Sequence, residues 1–263
     1  MVALFPAEKG IQETQRELAQ SKDEKYKNDL TKTKHFGVWF NNDDRVKLSR
    51  DTYAQIDKRV HNGVPAFMRE YYKNNPDARK KVYEDEECKI YSDEWCEKHR
   101  KECLENFDLN ISYFATLDEE KFEKALTKLL KRRKKFTQIY DIYQCDNVAG
   151  IYVLVLDRYK QVYIGQTNNI KRRILQHWRA KKEFDKLIFG RTEKSILSID
   201  SFGCLDTTRI FVLETWALGE EEQILVNAID PRYCLNRTAG GIHDDREMAI
   251  MEIVANKRER ELR

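Results

Sequence analysis

The sequence predicts an α+β fold, with a small, mainly antiparallel three-stranded sheet flanked by helices and preceded by a helical N-terminal domain. Two short apolar runs, GIYVLVL at 150–156 and QVYIGQT at 161–167, are joined by the tight connection DRYK and are typical of a β-hairpin. A third run, TRIFVLET at 208–215, is typical of another strand. Helical periodicity dominates the residues before 146, which places the sheet in the C-terminal half.

Length and composition limit the classes of protein to which this chain can belong. Its 263 residues are enough for one large or two ordinary domains. No apolar run is long enough to span a membrane, and the apolar part of MVALFPAEKG is too short for a signal peptide. We therefore expect a soluble cytoplasmic protein with no membrane partner and with reduced cysteines. The net charge of +3 does not by itself indicate a nucleic-acid partner, so the clustering of cations matters more.

The chain is expected to divide into four parts. Residues 1–34 are polar and are expected to form a tail or a surface helix. Residues 35–145 are expected to form a helical domain that binds substrate or another partner, with one helix capped by Ser49 or Asp51. Residues 146–243 form the α+β domain, and residues 244–263 form a C-terminal helix.

A dense basic run ends the helix predicted over TLDEEKFEKALTKLLKRRKKF. Thr116 and Glu119 have the spacing of a capping box at its start. Two interpretations of this run are equally compatible with the sequence. The first is that the run only interacts with the helix dipole and with solvent, because cations are favourable at a helix C-terminus. The second is that it contacts phosphate groups. On the second interpretation the substrate-binding residues are Lys131, Arg132, Arg133, Lys134 and Lys135.

The helix predicted after the hairpin, NNIKRRILQHWRA, carries two polar residues beside its apolar face. Ile170, Ile174 and Trp178 lie on one side of the helix and are expected to pack on the sheet. Arg173 and His177 are four residues apart and share a face that borders this stripe. They are therefore expected beside the two hairpin tyrosines, although an arginine at such an edge commonly extends its charge into solvent.

A carboxylate interrupts the apolar face of the helix predicted over 217–229. Glu222 falls on the face made by Leu218, Leu225, Val226 and Ile229. A carboxylate on a core face is costly unless it is paired or bound to a metal. The pattern leaves open a buried ion pair with an arginine and a site for a hard cation such as Mg²⁺.

Soft ligands cluster in CKIYSDEWCEKHRKEC. Cys96, His99 and Cys103 share one helix face, and Cys88 precedes them in a predicted turn. These four side chains could form a structural zinc site, although their spacing is not that of a standard zinc finger. The alternative is a helix face with two buried cysteines.

Two tripeptides resemble the motif that gives the GIY-YIG nuclease family its name. Gly150–Ile151–Tyr152 is followed, after ten residues, by Tyr163–Ile164–Gly165. Arg173 and His177 follow the second tripeptide at the distances where the family has its arginine and a histidine or tyrosine.

The resemblance continues toward the C-terminus and covers roughly residues 146–242. Glu222 heads the segment EQILVNAIDPRYCLN, which is similar to the family's Glu-x-x-Leu-Ile…Pro…Asn pattern and ends at Asn236. Residues 238–241 resemble the tail of homing-type members. One departure is Gln166, which stands where several members have a lysine that helps to activate the tyrosine.

The resemblance implies an endonuclease that hydrolyses phosphodiester bonds of DNA with the help of Mg²⁺ or Mn²⁺. Tyr152 or Tyr163 would act as the general base, and a nearby cation cluster would lower the phenol pKa by about three units. Arg173 would clamp the phosphate. The resemblance also implies that Glu222 binds the metal ion, that His177 relays a proton or contacts phosphate, and that Asn236 has an orienting role.

Two other functions are compatible with the same residues. One is a ribonuclease, such as a toxin or an RNA-processing enzyme, with RNA as the partner. The other is a non-catalytic DNA-binding protein that retains the fold. A single catalytic site cuts one strand, so cleavage of both strands of DNA would need a homodimer or two successive nicks.

Overall fold

The structure is a computed structural model that describes residues 22–42, 45–56, 74, 93–133, 135–216 and 220–236. It confirms a mixed α+β fold with antiparallel sheets. The predicted C-terminal helix and most of the predicted N-terminal tail lie outside the described residues. Within those residues, no helix is both long and apolar enough to cross a membrane.

The first sheet is a two-stranded hairpin that the sequence did not predict. Strand β1 (Lys32–His35) pairs antiparallel with β2 (Val38–Asn41). Phe36 and Gly37 both have positive φ, 43° and 82°, which suits the turn of a tight hairpin. The expectation of a helical domain over residues 35–145 is therefore wrong at its start, where β2 is a strand.

The second sheet has four strands, one more than the sequence predicted. Its strands are β3 (Thr137–Ile139), β4 (Gly150–Leu156), β5 (Gln161–Thr167) and β6 (Arg209–Glu214), in the order β3-β6-β4-β5 and all antiparallel. The predicted hairpin and third strand are present. The additional strand β3 has three residues, too few to show an alternating pattern in the sequence.

The α-helices whose bounds are described are α1 (Arg50–Tyr53), α2 (Asp93–Thr116), α3 (Glu119–Lys131), α4 (Ile170–Arg179) and α5 (Glu220–Val226), and residues 22–26 are also helical. Ser49 caps α1, and it is one of the two residues, Ser49 and Asp51, that were predicted for this role. The capping box predicted at Thr116 is wrong, because α2 continues through this residue. Asp118 caps α3 instead and accepts a hydrogen bond from the backbone N–H of Lys121 at 2.8 Å.

One buried core includes residues on both sides of 146, the predicted domain boundary. All seven residues of β4 are buried, and α2 contributes Tyr113 and Phe114 to the same core. The side chain of Asn110 on α2 donates to the carbonyl of Ser195 at 2.8 Å, and a ring nitrogen of His35 contacts the carbonyl of Thr207 at 2.8 Å. The N-terminal segments thus help to hold the stretch between α4 and β6. The boundary itself stays a prediction.

Candidate active site

The pairing of β4 with β5 places both tyrosines on one face of the sheet. Tyr152 is opposite Gly165, and Leu154 is opposite Tyr163. Because alternate residues of a strand point to the same face, the two phenol rings are diagonal neighbours. Their centroids are 6.2 Å apart. The hairpin therefore forms a small aromatic surface.

The glycine of the second tripeptide has a packing role. A Cβ atom at Gly165 would lie 2.3 Å from the phenol oxygen of Tyr152. Such a distance is far inside van der Waals contact, so any larger residue would push the phenol away. Gly150 is equally restricted, because a Cβ atom there would lie 2.2 Å from the carbonyl oxygen of Leu213.

Helix α4 has the orientation that its sequence predicts. The side chain of Asn169 caps it, and Ile170, Ile174 and Trp178 are buried against the core. His177 is also buried, with 3% of its surface exposed, whereas Arg173 is exposed. The helix thus presents a buried imidazole to the hairpin.

A hydrogen-bonded chain connects a tyrosine, a histidine and an aspartate. The phenol oxygen of Tyr152 lies 2.8 Å from Nε2 of His177, and Nδ1 of His177 lies 2.6 Å from Oδ1 of Asp200. An ionised carboxylate can only accept, so Nδ1 carries the proton that is donated to Asp200. For the neutral imidazole, Nε2 is then the acceptor for the phenol O–H.

The surroundings of Asp200 favour its ionised form. Burial by itself raises the pKa of this carboxyl. The hydrogen bond and charge of His177, together with Lys182 and Arg173, outweigh burial and lower the pKa below its ordinary value. Asp200 was not singled out in the sequence, since it lies in an irregular stretch between α4 and β6 without hydrophobic periodicity or a motif.

Both phenols are protonated at neutral pH. Burial raises the pKa of Tyr152 well above its ordinary value, and Tyr163 and Glu222 act in the same direction. Burial, followed by the charge of Glu222, raises the pKa of Tyr163 to about 12. Arg173 opposes both shifts but does not overcome them. The expectation that a cation cluster lowers the phenol pKa is therefore wrong for this structure.

Glu222 on α5 belongs to the same cluster. It is buried, with 6% of its surface exposed, and its charge acts on both phenols. A hard oxygen ligand at such a position suits Mg²⁺ or Mn²⁺, which commonly take one or two protein carboxylates and complete their shell with water and phosphate. Among the described residues no group of three or more His, Cys, Asp or Glu side chains could hold a metal, so such an ion would depend on Glu222 and the substrate.

Asn236 fixes the edge of the hairpin next to Tyr163. Its side-chain oxygen accepts from the backbone N–H of Ile164 at 2.9 Å, and its side-chain nitrogen donates to the carbonyl of Ile164 at 2.6 Å. The backbone N–H of Leu235 also donates to the carbonyl of Val162 at 2.8 Å. The amide thus imitates a neighbouring strand and orients β5.

The basic run has two different roles along its length. Arg133 makes two hydrogen bonds to the carboxylate of Glu221, at 2.8 and 3.0 Å, and so ties the end of α3 to α5. Lys131, Arg132 and Lys135 are exposed, and Lys134 lies outside the described residues. Since Glu221 precedes Glu222, the pair places the exposed cations near the helix that carries the buried carboxylate. Their contact with substrate stays a prediction.

The predicted zinc ligands are partly described. Cys96 and Cys103 are buried, and His99 uses Nε2 for a 3.0 Å contact with the carbonyl of Phe184 while its ring stacks on Trp95. Burial raises the pKa of the Cys103 thiol to about 12, which disfavours the thiolate that a metal would bind. Cys88 lies outside the described residues, so the zinc site stays a prediction.

Comparison with known proteins identifies no relative, because no family model, curated protein or solved structure matches the chain. The resemblance to GIY-YIG nucleases therefore depends on the motif residues of the sequence and stays a prediction. The tail-like residues 238–241 lie outside the described residues.

Proposed function

We propose that this chain is a divalent-metal-dependent endonuclease that hydrolyses phosphodiester bonds of DNA. The proposal depends on one observation. The two hairpin phenols lie close to Arg173 and His177 from α4 and to Glu222 from α5, so that side chains from three separate stretches of the chain meet on one side of the sheet. On this proposal β4, β5 and β6 with α4 and α5 form a GIY-YIG-like unit, and β3 is an added edge strand.

Arg173 is the phosphate clamp. Its side chain is exposed, makes a long hydrogen bond of 3.4 Å to Gln176, and also hydrogen bonds with the hydroxyls of Tyr152 and Tyr163. A guanidinium group can donate two parallel hydrogen bonds to oxygens of a phosphodiester. Negative charge on these oxygens grows in the pentacoordinate transition state, so the clamp stabilises the transition state more than the ground state.

Tyr152, His177 and Asp200 form the route by which the attacking water loses its proton. The water gives its proton to the phenol oxygen while the phenol gives its own to Nε2 of His177, and Asp200 stabilises the resulting imidazolium. Because the raised pKa of Tyr152 makes a free phenolate costly, the two proton transfers have to be concerted on this proposal. Since Tyr152 is fully buried, we expect Arg173 to turn toward the bound phosphate and open the path for the water.

Tyr163 orients the phosphate from the more accessible side of the cluster. It is only partly buried, and its ring lies edge-on to His177 at a centroid distance of 5.0 Å. With a pKa raised to about 12, its hydroxyl keeps its proton and can donate it in a hydrogen bond to a phosphate oxygen.

Glu222 would hold the Mg²⁺ or Mn²⁺ ion. When bound, such an ion supplies positive charge that neutralises the phosphate and the leaving oxygen. Without it, the negative charge of Glu222 opposes the approach of a phosphodiester. Substrate binding should therefore depend on the divalent ion as strongly as turnover does.

A cleavage panel tests the proposal. The full chain is incubated with supercoiled plasmid, duplex DNA, single-stranded DNA and structured RNA, each with Mg²⁺, Mn²⁺ or a chelator. We expect metal-dependent cleavage of DNA that begins with nicks, as one site cuts one strand, and that disappears in Glu222→Gln. Cleavage of RNA alone would support the ribonuclease alternative. No cleavage with either metal, or full cleavage by Glu222→Gln, would contradict the proposal.

A further inference from the structure

An exposed tryptophan lies at one end of the four-stranded sheet. Trp216 follows the last residue of β6 by two positions, and 84% of its surface is exposed. We propose that the indole of Trp216 stacks on an unpaired base of the DNA strand, a few nucleotides from the scissile phosphate. The inference rests on the proposed endonuclease function and names its substrate class, which is DNA with unpaired bases beside the cut.

Trp216 differs from the other three tryptophans of the chain. The indole N–H groups of Trp39 and Trp178 donate hydrogen bonds of 2.7 and 3.0 Å, and the ring of Trp95 stacks on His99 with 4.5 Å between the centroids. Trp216 has neither a hydrogen bond nor a ring contact within the described part of the chain. Packing a tryptophan side chain removes about 150–250 Å² from water, so a large flat surface is left open to a ligand.

Exposed cations lie at the same end of the sheet as Trp216. Strands β3 and β6 are antiparallel, with Thr137 opposite Val212, so the residues before β3 lie beside those after β6. Lys135 is two residues before Thr137, and Trp216 is four residues after Val212. From the spacing of paired strands, the backbones of Lys135 and Trp216 are on the order of 10 Å apart. The exposed cations of this stretch are Lys128, Lys131, Arg132 and Lys135.

The charge of these four side chains is not neutralised by the protein. None of the four makes an ion pair within the described residues, and the segment 128–135 contains no carboxylate. Arg133 is paired with Glu221, which holds the run next to α5. A protein partner would need a continuous apolar patch, whereas the neighbours of Trp216 are these cations and the exposed Glu214. A polyanion with flat apolar groups, such as single-stranded DNA, complements both features.

The position of Trp216 relative to the candidate active site fixes where the base would lie. Tyr152 is opposite Val212 in the sheet, and Trp216 is four residues further along the chain than Val212. Four residues of an extended strand span about 13 Å. Glu222, the proposed metal ligand, is six residues after Trp216. A strand with one phosphate at the site therefore reaches the indole within a few nucleotides.

Stacking on Trp216 requires a base that has left the double helix. In a duplex both faces of each base are covered by the neighbouring base pairs, so an exposed side chain at the surface reaches only phosphates, sugars and base edges. An unpaired base offers a free face to an aromatic ring, whatever its sequence. We therefore expect a preference for single strands, flaps or frayed ends over blunt duplex.

The experiment compares two exposed aromatic residues at opposite ends of the sheet. Tyr140, which is 73% exposed, follows β3 at the end away from Trp216. Affinity for a labelled single-stranded oligodeoxynucleotide, and for a blunt duplex of the same sequence, is measured by fluorescence anisotropy in Mg²⁺. Every protein carries Glu222→Gln, which prevents turnover and removes the charge that opposes a phosphodiester. Trp216→Ala should weaken single-strand binding by about 5- to 100-fold and duplex binding by less than about twofold, and Tyr140→Ala should change neither.

Tryptophan fluorescence reports the stacking directly. Saturating single-stranded oligonucleotide should quench part of the emission when Trp216 is present. In Trp216→Phe the quenched part should be missing while most of the affinity remains, because a phenyl ring also stacks on bases. The unfolding temperature should be unchanged in both Trp216 variants, since the side chain is exposed and has no partner within the described residues.

A charge-matched pair of double variants tests the cations. Lys131→Ala with Lys135→Ala removes two exposed cations beside Trp216, and Lys98→Ala with Lys101→Ala removes two exposed cations from α2. The first double variant should lower the salt dependence of single-strand binding by about 1.4 in slope, because each lost phosphate contact removes about 0.7. The second should leave the slope unchanged.

The outcomes separate this inference from the endonuclease proposal. Equal losses in Trp216→Ala and Tyr140→Ala, equal losses on duplex and single strand, or no quenching at saturation would overturn the stacking role. So would self-association in sedimentation that Trp216→Ala abolishes while oligonucleotide affinity is kept. If DNA is cleaved but Trp216→Ala binds it normally, only the stacking role fails. If nothing is cleaved but single-strand binding depends on Trp216 as described, the stacking role stands and the endonuclease proposal fails.

Discussion

Nε2 of His177 and the phenol oxygen of Tyr152 are 2.8 Å apart inside the protein, so the phenol has a proton acceptor in place before substrate arrives. Asp200 holds the other ring nitrogen and thereby selects the tautomer that can accept. The raised pKa of the phenol does not prevent proton transfer in this arrangement, since the proton moves along an existing hydrogen bond.

Asp200→Asn should lower kcat by about 10²–10⁴-fold with a much smaller change in KM, because the amide no longer stabilises the imidazolium and permits the wrong tautomer. Steady-state kinetics measures the loss, and ¹⁵N NMR of the imidazole reports the tautomer. Glu193→Gln, an exposed change in the same irregular stretch, is the control and should behave like the wild type. Unchanged kcat in Asp200→Asn would remove Asp200 from the mechanism.

Glu222→Gln and Glu221→Gln make the same change of charge at adjacent positions of α5. The first should lower cleavage by about 10²–10³-fold or more through loss of the proposed metal ligand. The second opens the part-exposed pair with Arg133 and should leave activity within a few-fold of wild type. The assay is metal-dependent nicking of plasmid DNA. Equal losses in both variants would indicate that α5 matters only as a structural element.

The stability of the protein should fall in alkali, and Tyr163→Phe should reduce that fall. The pKa of Tyr163 is about 12 in the folded chain and near 10 when unfolded, so the unfolded chain loses this proton first as the pH rises. The stabilisation is complete below pH 10 and is lost as the pH rises through the folded pKa. Urea denaturation at pH 9 and pH 11 measures the difference. An identical fall in the variant would show that Tyr163 titrates normally.

Asn236→Ala should destabilise the protein by about 1–3 kcal/mol, because it leaves a backbone N–H and a carbonyl of β5 without their partners. The free energy of unfolding by urea measures this change. Asn227→Ala, on the exposed hydrogen bond to Gln223, is the control and should cost much less. If the two variants are equally stable, the amide of Asn236 does not support the strand.

Cys103 should resist thiol reagents in the folded protein, because burial raises its pKa to about 12. Timed modification followed by peptide mass spectrometry should find it labelled only after unfolding. The zinc hypothesis is tested on the same preparation by metal analysis of protein purified without added metal. About one equivalent of zinc, lost in Cys103→Ser, would show that the thiol is a ligand and that its pKa is low when zinc is bound.

The parts of the site that follow from local sequence were predictable. The hairpin was visible from two apolar runs with a short connection, and the spacing in α4 placed Arg173 and His177 on one face. Glu222 stood out because a carboxylate interrupted an apolar stripe. In each case the residue lies in a regular strand or helix, where the spacing along the sequence determines the direction in which each side chain points.

The parts that depend on contacts between distant segments were not predictable. Asp200 reaches His177 from an irregular stretch in which no period relates residue number to direction. The shifts of the phenol pKa required knowledge of burial, which outweighs the charge of Arg173. The hairpin of β1 and β2 was missed because KTKH carries too little apolar character for the alternation that marks a strand.

The two hydrogen bonds from the side chain of Asn236 to the backbone of β5 have a consequence for synthesis of the protein. Tyr152 leaves the ribosome long before Glu222 and Asn236, so a nascent chain carries its phenols without the carboxylate and without the amide that aligns the strand. If the chain is the proposed endonuclease, a growing polypeptide should be harmless to nucleic acid near the translation machinery, and cleavage should begin only when the last of these residues has emerged.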